Sequence, residues 1–225
     1  MERITWLKEM RRVCEEEYDT RWAAEYGEKW GLYDNTTHLQ FIEEFLSLLP
    51  PHSRILDAAC GAGRYLPTLL GKGHFVLGID QSQGMLARAR AKFPGVAFEK
   101  IGLQEMAFQE TFDGAICMDA MENVPPEEWP LVLGNFHRAL KEQGCLYFTT
   151  ETVEAAADVG GIWQAFIRGQ EAGLPIVYGE WPDEGVYHYH PTNQQVKDWA
   201  EKAGFAFLKE GVGQDYYHLT VRKGV

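Results

Sequence analysis

The 225-residue sequence predicts an α/β fold: a doubly wound, mostly parallel sheet preceded by helices and carrying a small late insertion. Three observations predict it. Apolar runs of strand length alternate with amphipathic stretches of helix length from about residue 36 to residue 150. The first run ends in Ile55-Leu56 and enters Asp57-Ala58-Ala59-Cys60-Gly61-Ala62-Gly63, an acid and a small-residue turn ahead of a helix. The second, Phe75–Ile79, closes in Asp80, ~20 residues beyond that turn, where a β-α-β unit places the acid that accepts ribose hydroxyls.

The elements follow in order. Ile4–Trp30 is charged and aromatic, and Tyr18, Trp22, Tyr26 and Trp30 recur every four residues, a stripe on one helix face that packs onto the sheet. Thr36–Leu49 is an amphipathic helix stopped by Pro50-Pro51. Arg54–Ala58 is the first strand, and the helix after the Gly turn carries Tyr65, Leu66, Leu69 and Leu70 and ends near Gly71-Lys72-Gly73. Phe75–Asp80 is the second strand. Gln81-Ser82 caps the helix Gln83–Phe93. Val96–Ile101, Phe112–Met118 and Cys145–Thr150 are strands, with the helix Glu127–Lys141 before the last of them. Glu151–Gly185 breaks the alternation and reads as an inserted helix and loop, with Glu180, Asp183 and Glu184 on a solvated acidic stretch. Val186–His190 alternates Tyr and His, so as a strand it puts His188 and His190 on one face and Tyr187 and Tyr189 on the other. The helix Gln194–Ala203 and the strands Phe205–Leu208 and Tyr216–Arg222 finish the chain.

Composition narrows the class. A net charge of −12 and a pI near 5.0 argue against nucleic acid or an anionic membrane as partner, since both call for a basic face. No apolar run is long enough to span a bilayer, and Met1–Arg12 lacks a signal-peptide core. Cys14, Cys60, Cys117 and Cys145 form no C-x-x-C pair and read as reduced, buried thiols of a cytoplasmic protein. His188-x-His190 alone is too little for a closed metal site, so no metal is expected.

The Gly turn also bears on the cofactor. A dinucleotide fingerprint needs a third glycine, and Leu66 stands there. Asp57 would repel phosphates but suits an ammonium. A ribose, an ammonium and no phosphate describe S-adenosylmethionine (SAM). The stretch resembles the first motif of the class I SAM-dependent methyltransferases through Leu56, Asp57, Gly61 and Gly63, with Ala59 where the family usually has a Gly. The loop Asp119–Pro125 matches the family's D-x-L-E-H-V-P at Asp119, Glu122, Val124 and Pro125, with Asn123 replacing the His.

The resemblance implies a Rossmann-like seven-stranded sheet of order 3-2-1-4-5-7-6 and the transfer of a methyl group to a small-molecule acceptor. It implies cofactor contacts from Asp57, Ala58, Gly61, Gly63, Asp80, Gln81 and Met85, although Met85 also reads as an ordinary core residue. Leu103 replaces the family's adenine-binding Asp, which leaves that contact to Gln104 or Glu105. Met118, Asp119 and Asn123 would border the methionyl part, with Asp119 or Glu122 the base available from that loop. The segment before the first strand often covers the cofactor in this family, which points to Tyr18 and Tyr26. The expected organisation is one domain over 1–225, with a helical lid over 1–50 and a cap over 151–190. The cap and the Tyr-His strand are expected to form the acceptor pocket from Trp163, Tyr178, Tyr187, His188 and Tyr189, with His188 as base or polar anchor. A non-catalytic SAM-binding protein remains the alternative. An NAD-dependent oxidoreductase is disfavoured by Leu66 and Asp57. Monomer and homodimer both remain open.

Overall fold

The computed structural model describes residues 1–25, 35–183 and 186–224. Tyr26, Trp30 and Glu184 lie outside the described residues. The main sheet contains β1 (Arg54–Ala58), β2 (Phe75–Asp80), β3 (Ala97–Lys100), β4 (Phe112–Cys117), β5 (Leu140–Thr150), β8 (Phe205–Gly213) and β9 (Tyr216–Lys223). Its order is β3-β2-β1-β4-β5-β9-β8. The first five strands are parallel, and β9 is antiparallel to both β5 and β8. This is the expected order 3-2-1-4-5-7-6, once the separate hairpin β6 (Glu180–Asp183) and β7 (Val186–Tyr189) is set aside.

The helices are α1 (Arg3–Glu17), α2 (Thr36–Ser47), α3 (Leu66–Gly71), α4 (Gln83–Lys92), α5 (Trp129–Ala139), α6 (Val159–Glu171) and α7 (Asn193–Lys202). Strand alternation divides the core between the two faces of the sheet. Leu56, Ala58, Ala115, Cys117, Leu146 and Phe148 pack towards α5 and α7 through Trp129, Leu133, Phe136 and Val196. Ile55, Ile116 and Tyr147 pack towards α2 and α3 through Phe41, Ile42, Phe45, Leu66 and Leu69. Strands buried on both sides account for the unbroken apolar runs in the sequence. Each fully buried large side chain contributes about 1.5–3 kcal/mol. Among the helix starts, α2, α4 and α6 are capped by the side chains of Asn35, Ser82 and Asp158, and α7 by a Thr192/Gln195 capping box.

Four local readings change. The Tyr18–Trp22 stretch is π-helical, so the four-residue stripe does not continue one helix face through it. β5 begins at Leu140, where Leu140 pairs with Phe112 ahead of a register shift. β8 runs on to Gly213 because its backbone pairs with β9, although Lys209, Glu210 and Gly211 show no apolar pattern. Glu180 is not on a solvated loop. It is buried in β6, accepts hydrogen bonds from Arg3 (Nη2···Oε1 2.7 Å) and from the Tyr187 phenol, and joins α1 to the hairpin. The Trp6 ring meets Tyr187 edge-on at 6.0 Å, and Tyr187 N donates to Cys14 Sγ.

The π-helical segment docks on the start of α4. Asp19 Oδ1 accepts from Ser82 Oγ at 2.7 Å and from Gly84 N at 3.0 Å. A Cβ on Gly84 would stand 2.3 Å from the Asp19 carbonyl oxygen, so only glycine permits this approach. Gly84→Ala should lift the N-terminal segment and lower Tm by roughly 2–10 °C. Trypsin should then cut faster at Arg11, Arg12 and Arg21, and an unchanged cleavage rate would show that the segment docks elsewhere.

Candidate active site

The carboxyl ends of the parallel strands are where a doubly wound sheet forms its crevice, and here they open into a cavity of about 780 Å³. Its first wall is the turn after β1. Ala59 and Gly61 both take positive φ, 55° and 53°, so Ala59 adopts the left-handed backbone for which the family uses glycine, at a cost of about 1 kcal/mol. Gly61 N donates to Asp80 Oδ2 and Ser82 N to Asp80 Oδ1, each at 2.8 Å. One carboxylate thus joins the turns after β1 and β2. Burial pushes the Asp80 carboxyl up to about 6, against the hydrogen bonds from Ser82 and Gly61.

Asp57 lines the same end and is buried, and its Oδ2 has no hydrogen-bond partner among the described residues. Burial, and then the charge of Asp80, push its carboxyl up to about 8. A buried carboxylate oxygen without a donor is costly unless a ligand supplies one. An ammonium does so. The residues here therefore fit the amino-acid end of SAM.

The remaining expected cofactor residues divide. Gln81, Met85, Gln104, Met118, Asp119 and Asn123 line the cavity. Ala58 is buried in the core behind the turn and is not on the wall. Gly63 is also off the wall. Its φ is 79°, and a Cβ there would meet Leu66 Cδ1 at 2.7 Å, so it serves the packing of the turn against α3. Glu105 pairs with Arg11 on the outer surface and does not reach the cavity, whereas Leu103, two residues earlier, does. Gln104 Nε2 donates to Glu128 at 2.8 Å, and Asn123 Nδ2 donates to the Tyr187 carbonyl at 3.0 Å, tying the loop after β4 to the hairpin. Tyr18 and Trp22 line the cavity from the N-terminal side.

Asp119 follows β4 with a φ of 53°. Its Oδ2 accepts from the Tyr65 hydroxyl at 3.0 Å and from Arg64 at 3.3 Å, and its Oδ1 accepts from Thr149 Oγ1 at 3.3 Å. Burial pushes its carboxyl up to about 6 in spite of these donors. The Tyr65 hydroxyl also lies 2.7 Å from His38 Nδ1. Burial, with the charges of His218 and Arg64, holds His38 down to about 3, so this ring stays neutral.

At the other end of the cavity are Ile162, Trp181, Tyr187, His188 and His190, with Glu151 and Glu122. Glu151 Oε2 stands 2.9 Å from His190 Nε2 and 3.2 Å from His188 Nδ1. Burial alone would raise the Glu151 carboxyl, but hydrogen bonds from His188 and His190 hold it well below the usual carboxylate range. Glu122 is pushed well above that range by burial and by the charges of Glu151 and Asp119.

Three expected acceptor residues are elsewhere. Trp163 and Tyr178, 50 % and 42 % exposed, cluster with Phe166 on the outside of α6, each pair of rings 5.8–5.9 Å apart. Helical rotation turns the neighbouring Ile162 to the cavity in place of Trp163. Tyr189 faces the core beside Trp199. The sequence reading missed Glu151 and Trp181. Glu151 had a positional signal, since it follows the carboxyl end of β5. Trp181 had none, because its strand contains Pro182 and pairs only within the hairpin.

A family model described as a methyltransferase domain matches residues 55–144, from β1 into β5. Over 210 residues the chain is 28% identical to a ubiquinone biosynthesis O-methyltransferase of Hydrogenovibrio crunogenus, a match covering 89% of this chain and 81% of that protein. It is 27% identical to a malonyl-[acyl-carrier protein] O-methyltransferase of Pectobacterium atrosepticum over 63% of this chain and 57% of that protein. The fold is shared with a SAM-dependent methyltransferase of Methanosarcina mazei, with a TM-score of 0.68 at 18% identity over 81% of this chain and 97% of that one. It is shared as well with a 1,6-didemethyltoxoflavin-N1-methyltransferase of Burkholderia thailandensis bound to S-adenosylhomocysteine, at 0.70 and 16% over 97% and 90%. The matched segment carries the Gly turn, Asp57 and Asp80, so over residues 55–144 the chain is similar to a methyltransferase domain, and its strand order is that of the SAM-dependent methyltransferase fold.

Proposed function

We propose that this methyltransferase binds SAM between the turns after β1 and β2 and methylates a small molecule held under the hairpin and α6. The observation that carries this reading is the unpartnered Oδ2 of Asp57 at one end of a cavity whose other end holds Glu151, His188 and His190. SAM supplies a methyl group on a sulfonium, and the chain's own residues position, desolvate and orient. Asp57 receives the ammonium. Asp80, fixed by Gly61 and Ser82, receives the ribose hydroxyls, and Gln81, Met85, Leu103 and Gln104 flank the adenine. Tyr18 and Trp22 close this end, as the lid part of residues 1–50.

Asp119 holds the loop that borders the methyl group, because Tyr65, Arg64 and Thr149 already engage both of its oxygens. It is a positioning residue in this reading and not the proton acceptor. Within the 151–190 cap, Trp181, Ile162 and Tyr187 shape an acceptor pocket of mixed apolar and polar character. His188 is its polar anchor. Four buried, free cysteines support placement in the reducing cytoplasm, and no described helix is long and apolar enough to cross a membrane.

SAM or S-adenosylhomocysteine at ~100 times its dissociation constant should stabilise the protein by about 2.7 kcal/mol, a rise in Tm of roughly 5–10 °C. The rise should shrink in Asp80→Ala, and NADH should cause none. A rise with NADH alone overturns the reading.

Asp57 also sets a pH dependence. Its carboxyl titrates near 8 in the folded chain and near ~3.9 in the unfolded one, so the folded state binds the extra proton between those values. Its contribution to the stability of the ligand-free protein therefore falls as pH rises through this window. Asp57→Asn should raise the ligand-free Tm at both pH 8 and pH 6, and by clearly more at pH 8. The same substitution should weaken SAM binding about 100-fold, the loss of roughly 3 kcal/mol from a buried charge pair. Calorimetry and thermal melts at the two pH values test both effects, and an Asn variant that binds SAM normally removes Asp57 from the site.

A further inference from the structure

Glu151, His188 and His190 are brought together only by the fold. Glu151 leaves the carboxyl end of β5, His188 lies in β7, and His190 follows that strand. One ligand atom from each lies within 4.8 Å of the other two. The two imidazole–carboxylate separations are 2.9 and 3.2 Å. Donor atoms on one ion at about 2.0–2.2 Å stand about 2.8–3.6 Å apart in octahedral or tetrahedral geometry. Both separations fall in that interval.

The orientation of the His190 ring sharpens the point. Its Nδ1 lies 3.1 Å from the Gly179 carbonyl oxygen. A carbonyl only accepts, so Nδ1 carries a hydrogen, and Nε2 is the nitrogen that faces the carboxylate of Glu151. A ring N–H fixed on a backbone carbonyl with the second nitrogen aimed at a shared centre is how metal-ligating histidines are oriented.

A second observation comes from another loop. Glu122 lines the same end of the cavity and is only 3 % exposed, and its Oε2 has no partner among the described residues. Its carboxylate lies in the field of Glu151 and Asp119. Three acidic side chains thus share this half of the cavity with two imidazoles.

We propose that Glu151, His188 and His190 bind a divalent first-row transition metal ion through one carboxylate oxygen and two imidazole nitrogens, with Glu122 beside it and the open coordination positions facing the cavity. Imidazole ligands suit zinc, copper, iron and nickel, whereas magnesium and calcium take oxygen ligands. The ion gives His188 its anchoring role, and it admits an acceptor bearing an anionic oxygen, which Asp119, Glu122 and Glu151 would otherwise repel. The acceptor class rests on the methyltransferase reading; binding of the ion does not.

The test uses the full chain, stripped with a chelator and titrated with Co2+ alone. Visible d–d bands should saturate at one ion per chain without thiolate charge-transfer absorption, since the cysteines are buried. Zn2+ should displace the cobalt, and Mg2+ should not. Glu151→Gln and His188→Ala should each weaken Co2+ binding by at least about 10–100-fold, the range that loss of a supporting residue alone produces. Both should keep the Tm rise with S-adenosylhomocysteine, which reports folding and cofactor binding separately from the metal. If Glu151→Gln does not fold, His188→Ala and His190→Ala are read in its place. Asp57→Asn should bind Co2+ like the wild type. No stoichiometric cobalt site, or one that survives both ligand substitutions, overturns the proposal and leaves a hydrogen-bonded cluster only. Normal cobalt binding with no response to S-adenosylhomocysteine overturns the cofactor assignment and leaves the metal site standing.

Discussion

The Asp80 carboxylate is the joint on which the part of the cavity between the turns after β1 and β2 depends. One oxygen takes the amide of Gly61 from the turn after β1 and the other takes the amide of Ser82 at the start of α4. Ser82 in turn caps α4 and receives Asp19, so the N-terminal segment is registered on the same joint. A chain of short polar contacts therefore runs from a strand end through two turns to the element that covers them. Each member is local and well directed, which lets a small turn hold strained backbone at Ala59.

The opposite half is organised by a buried ion pair. Glu180 is fully buried and has Arg3 and the Tyr187 phenol as donors. This pair pins the hairpin to α1, with Trp6 and Cys14 packed or hydrogen-bonded against Tyr187. Burial of an ion pair adds little net stability, but leaving one partner alone is expensive, so the pair specifies how the parts fit. The element that carries Tyr18 and Trp22 and the hairpin that carries His188 are consequently parts of one assembly. In the proposed function they enclose the cofactor and the acceptor from adjoining sides.

Both halves spend stability on charge held out of water. Asp57, Asp80, Asp119 and Glu122 are all raised above the ordinary carboxyl range by burial. Clustering of such shifts in one cavity marks a functional site, because a core selected for stability alone would exclude them. Hydrogen bonding separates two of them: Asp57 Oδ2 has no donor among the described residues, while Asp119 has donors on both oxygens.

The sequence by itself determined the strand–helix alternation, the Gly turn between Asp57 and Asp80, the cap at Ser82, and with them the resemblance to the SAM-dependent methyltransferases. These are local features: a period of two or 3.6 residues, an acid closing an apolar run, a glycine with positive φ. Only the tertiary structure decided the rest. It placed Ile162 in the cavity in place of Trp163, removed Glu105 and Tyr189 from it, and buried Glu180. It also brought Glu151 to His188 and His190 across some 37 residues of chain. Those outcomes depend on the rotation of α6, on the pairing of β6 with β7 and on the docking of α1. Each is set by contacts between residues far apart in the chain, for which neither local pattern nor composition carries a signal.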